Sequence, residues 1–119
     1  MALDIRVAKA ALPSEKVLVL DGLLTAETAF QLRDVAREDR PSTLVIDMSQ
    51  VRYVDSSGLG VLIGLYVSFE QSCRRLLLAG ISDRLWELFR ICKIEDVFTR
   101  YPTVADAERT LTPEGVTPV

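Results

Sequence analysis

The polar segment Val54-Asp55-Ser56-Ser57-Gly58-Leu59-Gly60 contains the residues of this chain that are best suited to chemistry. It follows an apolar run that ends at Ile46 and leads into an apolar stretch that ends at Phe69, which predicts a strand before it and a helix after it. A hydroxyl in the first turn of a helix lies near unpaired N–H groups and the positive end of the helix dipole. We therefore expect a serine here that can carry a phosphate.

A purely structural role is an alternative for the same segment, because Asp55 or Ser56 could serve only as the N-cap of the helix. One cap needs one oxygen, however, and three oxygen-bearing side chains in a row precede Gly58. With either residue as the cap, Ser57 falls in the first helical turn. A phosphate there adds about −1.5 to −2 charges to the surface. Such a charge could abolish a protein contact without unfolding the domain.

Other catalytic and ligand-binding patterns are incomplete. Gly58-Leu59-Gly60 lacks the third glycine of the dinucleotide pattern, since that position is Ile63, and no lysine follows it as in a phosphate loop. The chain has no histidine, which removes Ser-His-Asp and Cys-His mechanisms and most zinc sites. Asp47 and Asp55 are an alternative acid pair, but we expect Asp47 to end its strand and bond to the backbone of the next turn. We expect no catalytic residues, no metal and no cofactor.

Composition limits the classes of partner and the compartment. The 119 residues carry a net charge of −3 without a block of Lys and Arg, which argues against nucleic-acid binding. The charges in Met1-Ala2-Leu3-Asp4-Ile5-Arg6 occupy a place where a signal peptide needs an apolar run, so we expect a cytoplasmic protein. The apolar stretch from Leu59 to Phe69 is too short to cross a bilayer, so no membrane insertion is expected. Cys73 and Cys92 lack CxxC spacing and are expected to be reduced, buried thiols, with a disulfide as the alternative.

Alternating strands and helices are predicted along the chain. Leu3, Ile5 and Val7 alternate with polar residues, which predicts an edge strand that pairs as a hairpin with Val17–Leu20. Asp21-Gly22 is expected to break the second strand. Helices are then predicted over residues 25–40, 57–72, 82–92 and 103–111, and Thr25, Ser82 and Thr103 are expected to cap the first, third and fourth of them. Strands are predicted over residues 44–48, 76–81 and 97–98, of which the first is buried and the last is short.

This order of elements predicts a single α/β domain over residues 1–111. Its sheet should be mixed, parallel at the centre and antiparallel at one edge, with about four helices. Continuous apolar strands such as Leu44–Met48 are typical of sheets that are covered on both faces. Residues 112–119 contain two prolines and a glycine and are expected to form a disordered tail.

Several other side chains carry specific expectations. The first predicted helix should bury Ala26, Ala29, Phe30, Leu32 and Val35 on one face. Gly60 and Gly64 lie four residues apart and share a helix face, which indicates close packing of either the sheet or another protein. Trp86 should be partly buried, with a docking role as the alternative. Arg74 and Arg75 should be solvated.

The sequence from Leu44 to Leu62 resembles the core of the STAS domain, and more specifically that of bacterial anti-sigma factor antagonists. The shared pattern is an apolar strand that ends in Asp, a Val, two residues, an apolar residue, the segment Asp-Ser-Ser-Gly-Leu-Gly and an apolar helix. The later segments Leu76–Leu78 and Leu85–Ile94 fit as well. The resemblance thus covers residues 3–111.

The resemblance implies a non-enzymatic, phosphorylation-switched binding function. The unmodified domain would bind an anti-sigma factor that is also a serine kinase, and this binding would release the sigma factor. The kinase would phosphorylate Ser57, using ATP that it binds itself, and a metal-dependent serine phosphatase would reset the domain. Partner contact is expected from Asp55, Ser56, Ser57, Gly58, Leu59 and Gly60. The alternatives are constitutive docking as a STAS scaffold or subunit of a sensory or lipid-transport complex, and binding of a small ligand or nucleotide.

Overall fold

Five strands form one mixed sheet in the computed structural model, which describes residues 2–111. They lie side by side in chain order, with bounds β1 (Leu3–Ala8), β2 (Glu15–Leu24), β3 (Thr43–Val54), β4 (Arg75–Ala79) and β5 (Arg100–Tyr101). β1 is antiparallel to β2, and the remaining neighbours are parallel. The predicted sheet, parallel at its centre with an antiparallel edge, is confirmed. The predicted tail, residues 112–119, lies outside the described residues.

The helices found within residues 2–111 cover both faces of the sheet. Their bounds are α1 (Ala29–Arg37), α2 (Ser56–Gln71), α3 (Asp83–Ile91) and α4 (Val104–Arg109). The described residues form two hydrophobic cores, a larger one on one face of the sheet and a smaller one on the other. Leu44 and Ile46 of β3 pack in the larger core with α1, α2 and α3. Val45 packs in the smaller core with Ala107 of α4. The continuous apolar run of β3 is therefore buried on both faces, as the sequence predicts. None of these helices is both long enough and apolar enough to cross a membrane.

Two strands extend beyond their predicted ends. β2 continues through Asp21 and Gly22 to Leu24, with register shifts against β3 on both sides of Gly22. Gly22 has a φ of +131°, and a Cβ on it would lie 2.4 Å from the carbonyl oxygen of Ala2. The glycine thus allows an irregularity within the strand and a close approach of the preceding chain, instead of ending the strand.

Asp47 also lies inside a strand, because β3 continues for seven more residues to Val54. Asp47 bonds to the backbone as predicted, since its Oδ1 accepts a hydrogen bond from Ser49 N at 3.0 Å, but Ser49 lies in β3 and not in a turn. The strand end predicted there is wrong, because β3 still pairs with β2 beyond this point, up to the pair of Leu24 and Val54.

The first helix begins later than predicted. α1 starts at Ala29, after a turn in which the Thr25 carbonyl oxygen accepts bonds from Thr28 N and Ala29 N. The Thr28 hydroxyl donates to Leu23 O at 2.7 Å, so it anchors the turn to β2, and Thr25 does not cap the helix. Phe30 is 57% exposed rather than buried. The other two predicted caps are confirmed, since the hydroxyls of Ser82 and Thr103 accept bonds from the helices that follow them.

The last strand lies at Arg100–Tyr101 and not at the predicted residues 97–98, where Phe98 belongs to an aromatic cluster. Phe98 is buried and makes edge contacts with Tyr66 and Phe89, at centroid distances of 5.4 and 5.7 Å. It therefore fills the core, and β5 forms only at Arg100–Tyr101. Trp86 is partly buried as predicted and stacks on Phe89 at 5.1 Å.

The exposure of two cysteines and the contacts of one arginine differ from the predictions. Cys73 and Cys92 are free thiols but exposed, because each lies at or beyond the end of a helix instead of on its buried face. Arg74 is not simply solvated, since its guanidinium lies 4.1 Å from the centre of the Phe69 ring and donates to Pro41 O.

Two charged residues are buried at the start of β2. Lys16 is 6% exposed, and its Nζ donates to Val35 O at 2.7 Å and to Glu38 O at 3.3 Å, at the C-terminal end of α1. Glu15 is 7% exposed and accepts a bond from Leu12 N. Burial, and then the neighbouring Glu108 carboxyl, raise the pKa of Glu15 to about 7. We call this end of the sheet, formed by Glu15, Lys16 and Glu108, the basal pole.

Candidate functional site

The predicted phospho-acceptor segment lies at the opposite end of the sheet, where β2 and β3 finish together. Leu24 and Val54 are the last paired residues of these strands, and both are buried. The backbone N–H of Asp55 donates to Leu24 O at 3.1 Å, which holds the chain against β2 as it leaves the sheet. α2 begins one residue later. We call residues Asp55–Gly60 the serine pole.

Asp55 fixes the start of α2 through both carboxylate oxygens. Its Oδ1 accepts a bond from Gly58 N at 2.9 Å, so it is the N-cap that the sequence predicted for Asp55 or Ser56. Its Oδ2 accepts a bond from Ala26 N at 3.2 Å, in the turn before α1. The side chain thus joins the chain after β2 to the chain after β3, and we assign it a positioning role.

Gly58 is required by a close approach of two backbones. A Cβ at this position would lie 2.4 Å from Leu24 O and 2.9 Å from Leu24 Cγ. Such distances cannot be relieved by turning a flexible side chain, because the nearest atom belongs to the backbone of β2. The first turn of α2 therefore packs directly on the end of β2 only because residue 58 has no side chain.

Ser56 and Ser57 are the first two residues of α2, and both are exposed. Within residues 2–111, neither hydroxyl has a hydrogen-bond partner. Both lie in the turn whose backbone N–H groups lack intrahelical acceptors, next to the positive end of the helix dipole. The arrangement can accept an anion on either serine without burying it. The expected accessibility of Ser57 is present, and its phosphorylation stays a prediction.

The remaining residues of the serine pole divide into core and surface. Leu59 is 5% exposed and packs in the larger core, and Gly58 is buried. Gly60 and Gly64 are exposed, and nothing lies within 4 Å of a Cβ placed on either one. The expectation that the sheet packs closely on these glycines is therefore wrong. The alternative, close packing of another protein, stays a prediction.

A groove of about 420 Å³ opens beside the serine pole. Sequence reasoning did not find several of its residues, because they come from α3 and from the end of β3, which only the fold brings next to Ser56. Tyr53 is 55% exposed there, and Arg52 and Arg84 place positive charge on its walls. The groove is lined by Arg52, Tyr53, Val54, Asp55, Ser56, Leu59, Arg84, Leu85, Leu88 and Cys92.

The alternative acid pair, Asp47 and Asp55, is not brought together. Asp55 lies eight positions after Asp47, and the seven residues between them are extended in β3, which corresponds to more than about 20 Å at the usual rise of a strand. In the part of the chain that the structure describes, no group of three or more Asp, Glu, Cys or His side chains is placed to hold a metal ion.

Comparison with known proteins places these features in a family. The STAS domain pattern matches residues 7–107. An anti-sigma-B factor antagonist of Listeria monocytogenes is 38% identical over 73 residues, which are 61% of this chain and 64% of that protein. The chain therefore spans about 64% of the length of that relative.

Two solved structures share the fold at lower identity. SpoIIAA, an anti-sigma factor antagonist solved in its unphosphorylated form, has a TM-score of 0.76 at 18% identity and covers 96% of this chain and 99% of its own. A sulfate transporter family protein from Wolinella succinogenes has a TM-score of 0.76 at 21% identity, over 86% of this chain and 88% of its own. Since the family pattern extends over most of the described sheet and all of the serine pole, this chain belongs to the STAS domain family.

Proposed function

We propose that this chain is an anti-sigma factor antagonist, and that phosphorylation of Ser57 switches its binding to an anti-sigma factor serine kinase. The observation that carries the proposal is the exposed Ser57 hydroxyl in the first turn of α2, which Asp55 holds against the end of β2. The name of the Listeria relative, an anti-sigma-B factor antagonist, supports the role. The chain is proposed to act in the cytoplasm, where sigma factors work, and to perform no catalysis itself.

The proposed switch changes the charge of a surface without changing the fold. The carboxylate of Asp55 is already engaged by two backbone N–H groups, so the unmodified pole presents mainly neutral hydroxyls and glycines. A phosphate on Ser57 adds about −1.5 to −2 charges at the helix start, where the dipole favours an anion. A partner that packs closely on the pole would then have to desolvate a dianion, which is costly. Docking should fail although the domain stays folded.

The six residues of the serine pole would then have two kinds of role. Ser56, Ser57 and Gly60 are exposed and would contact the kinase directly. Asp55, Gly58 and Leu59 would act by positioning them, through the N-cap bond, the close contact with Leu24 and packing in the core. A serine phosphatase would remove the phosphate and restore docking.

A phosphorylation assay tests the modification step. The purified chain is incubated with the anti-sigma factor kinase of its own organism and Mg-ATP, and phosphopeptides are mapped by mass spectrometry. We expect one phosphate on Ser57 and none in Ser57→Ala. Ser56→Ala, which loses a contact with the kinase, should react more slowly but still reach one phosphate on Ser57 at completion. Phosphate found elsewhere with Ser57 unmodified would contradict the proposal.

A binding assay tests the switch itself. Isothermal titration with the same kinase should give an affinity for Ser57→Asp at least tenfold below that of wild type. Tenfold corresponds to about 1.4 kcal/mol, and a like or unpaired charge in an interface costs at least that much. Ser72→Asp, at the far end of α2, is the control and should bind as wild type does. Equal affinities of wild type and Ser57→Glu would instead favour constitutive docking as a scaffold or subunit.

A further inference from the structure

The outer edge of β1 is free to pair with another strand. β1 bonds to β2 along one edge, and within residues 2–111 no strand lies along the other. The strand has six residues, contains no proline and pairs with β2 without a register shift. Free edges of this kind present unpaired N–H and C=O groups and are templates for strand addition.

Three of the six side chains of β1 are exposed, those of Asp4, Arg6 and Val7. Val7 is 62% exposed although it lies on the face that carries the buried Leu3. Asp4 and Arg6 are exposed on the opposite face, and neither takes part in an ion pair within residues 2–111. The register of the hairpin even places Asp4 across from Asp21, another acid. An unpaired acid and an unpaired base thus lie two residues apart on one strand.

We propose that β1 pairs with β1 of a second copy of this chain, antiparallel and centred on Ile5. In this register each Asp4 lies opposite an Arg6 of the other copy, and each Leu3 lies opposite a Val7. Directly opposite residues on one face of an antiparallel pair have Cβ atoms about 5 Å apart, which is close enough for two ion pairs to form across the two-fold axis. The two sheets would join into one continuous sheet.

The charge pattern selects this register over its neighbours. A shift by two residues in one direction places Asp4 opposite Asp4, and a shift in the other direction places Arg6 opposite Arg6. Both shifts bring like charges together, which is destabilising. A shift by one residue would turn the apolar face of one strand toward the charged face of the other. A second copy is therefore a better match than an arbitrary strand, whose charges need not complement Asp4 and Arg6.

The dimer is expected to be weak. A ladder of five residues a side buries less than the interfaces of about 1,200–2,000 Å² that hold stable complexes. It uses no residue of the serine pole, so it is independent of the proposed function and could form in the phosphorylated or unphosphorylated protein. Association should weaken as salt increases, because the two ion pairs lie near the surface.

Charge reversal at β1 tests the proposal by sedimentation equilibrium over a wide range of protein concentration. We expect wild type to dimerise reversibly, and Arg6→Asp and Asp4→Arg each to weaken the dimer about tenfold or more, because each places like charges opposite each other. Lys9→Asp, an exposed charge change just beyond β1, should leave the dimer unchanged. Circular dichroism of each variant checks the fold.

A mixture of the two variants gives the decisive result. β1 of Arg6→Asp carries only acids as its charged residues, and β1 of Asp4→Arg carries only bases. An equimolar mixture should therefore form a heterodimer at concentrations where each variant alone stays monomeric. Two findings would overturn the proposal: a wild-type chain that stays monomeric at millimolar concentration, or a dimer that Arg6→Asp and Asp4→Arg leave unchanged.

Discussion

The two ends of the sheet handle charge in opposite ways. At the serine pole the acid is partly exposed and bonds to two backbone N–H groups, and the first helical turn stays open to solvent. At the basal pole Glu15 and Lys16 are almost fully buried beneath α1 and α4. Lys16 donates to the last carbonyls of α1, while Glu15 lies against Glu108 of α4. One end can accept a new charge, whereas the other already uses its charges to hold the fold.

This difference shows where a covalent switch is compatible with the domain. Anions are stabilised near helix N-termini and cations near helix C-termini. The serine pole presents the N-terminus of α2, and Lys16 at the basal pole serves the C-terminus of α1. A phosphate is therefore compatible with the serine pole, whereas the same group at the basal pole would be buried next to the carboxyl groups of Glu15 and Glu108.

The largest expected change in the free energy of unfolding is at Gly58, where the exposed serine pole packs closely on β2. Gly58→Ala should lower the free energy of unfolding by about 2–3 kcal/mol, because its Cβ would overlap the backbone of Leu24. Gly60→Ala, two residues along the same helix, is the matched control and should stabilise by about 0.5–1 kcal/mol, since it meets no atom and favours the helix. Urea denaturation measures both values, and equal values would contradict the contact with Leu24.

Removal of the buried ammonium tests the basal pole. Lys16→Met keeps most of the apolar stem but removes the donor for Val35 O and Glu38 O, and should destabilise by about 2 kcal/mol. Lys9→Met, at an exposed site, should change stability by less than about 0.5 kcal/mol. Thermal unfolding followed by circular dichroism compares them. A Lys16→Met variant as stable as wild type would show that these bonds do not hold α1.

Stability at the basal pole should also depend on pH. The folded state binds the Glu15 proton more tightly than the unfolded state, because the pKa rises from 4.5 to about 7. The stability that this proton contributes is complete below pH 4.5 and is lost as the pH rises through 7. At pH 8 the free energy of unfolding of Glu15→Gln should therefore exceed that of wild type, by on the order of 1–2 kcal/mol.

The matched control for this prediction is Glu87→Gln, at an exposed carboxylate that pairs with Arg90 on the same helix. It should leave the pH dependence of wild type intact, whereas Glu15→Gln should flatten it between pH 5 and 8. Urea denaturation at several pH values gives both curves. Parallel curves for wild type and Glu15→Gln would mean that Glu15 does not hold its proton in the folded state.

The smallest expected effect is at the proposed switch. Ser57→Asp should change the free energy of unfolding by no more than about 0.5 kcal/mol, and in the stabilising direction, because it adds an anion to the start of α2. Ser72→Asp places the same charge at the end of α2 and should destabilise by a similar amount. Chemical denaturation at low salt resolves the two signs. A large loss for Ser57→Asp would assign any loss of binding to unfolding instead of charge.

Much of the serine pole could be predicted because its signals are local. An acid or serine before an apolar helix specifies an N-cap, and the residues directly after it then occupy the exposed first turn. The order of the elements and the mixed sheet follow from apolar runs of strand and helix length. The need for glycine at residue 58 could not be predicted, because the contact with Leu24 joins residues that are distant in sequence.

The basal pole could not be predicted, because its features arise from tertiary packing. Glu15 and Lys16 follow Pro13 and Ser14 and have the composition of an exposed turn, yet α1 and α4 cover them. The same reason explains the groove, whose far wall belongs to α3. It also explains the exposed Phe30, since apolar spacing cannot tell how far a helix face extends beyond the sheet that it covers.

Trp86 gives the molecule a built-in optical probe. It is the single tryptophan of the chain, and it stacks on Phe89 with the Arg100 guanidinium 5.3 Å from its ring centre. It lies on α3 next to Leu85, which lines the groove beside Ser56. Intrinsic emission excited at the indole band therefore originates from one place, so a partner that moves α3 would be seen in unlabelled protein as a change in intensity or wavelength.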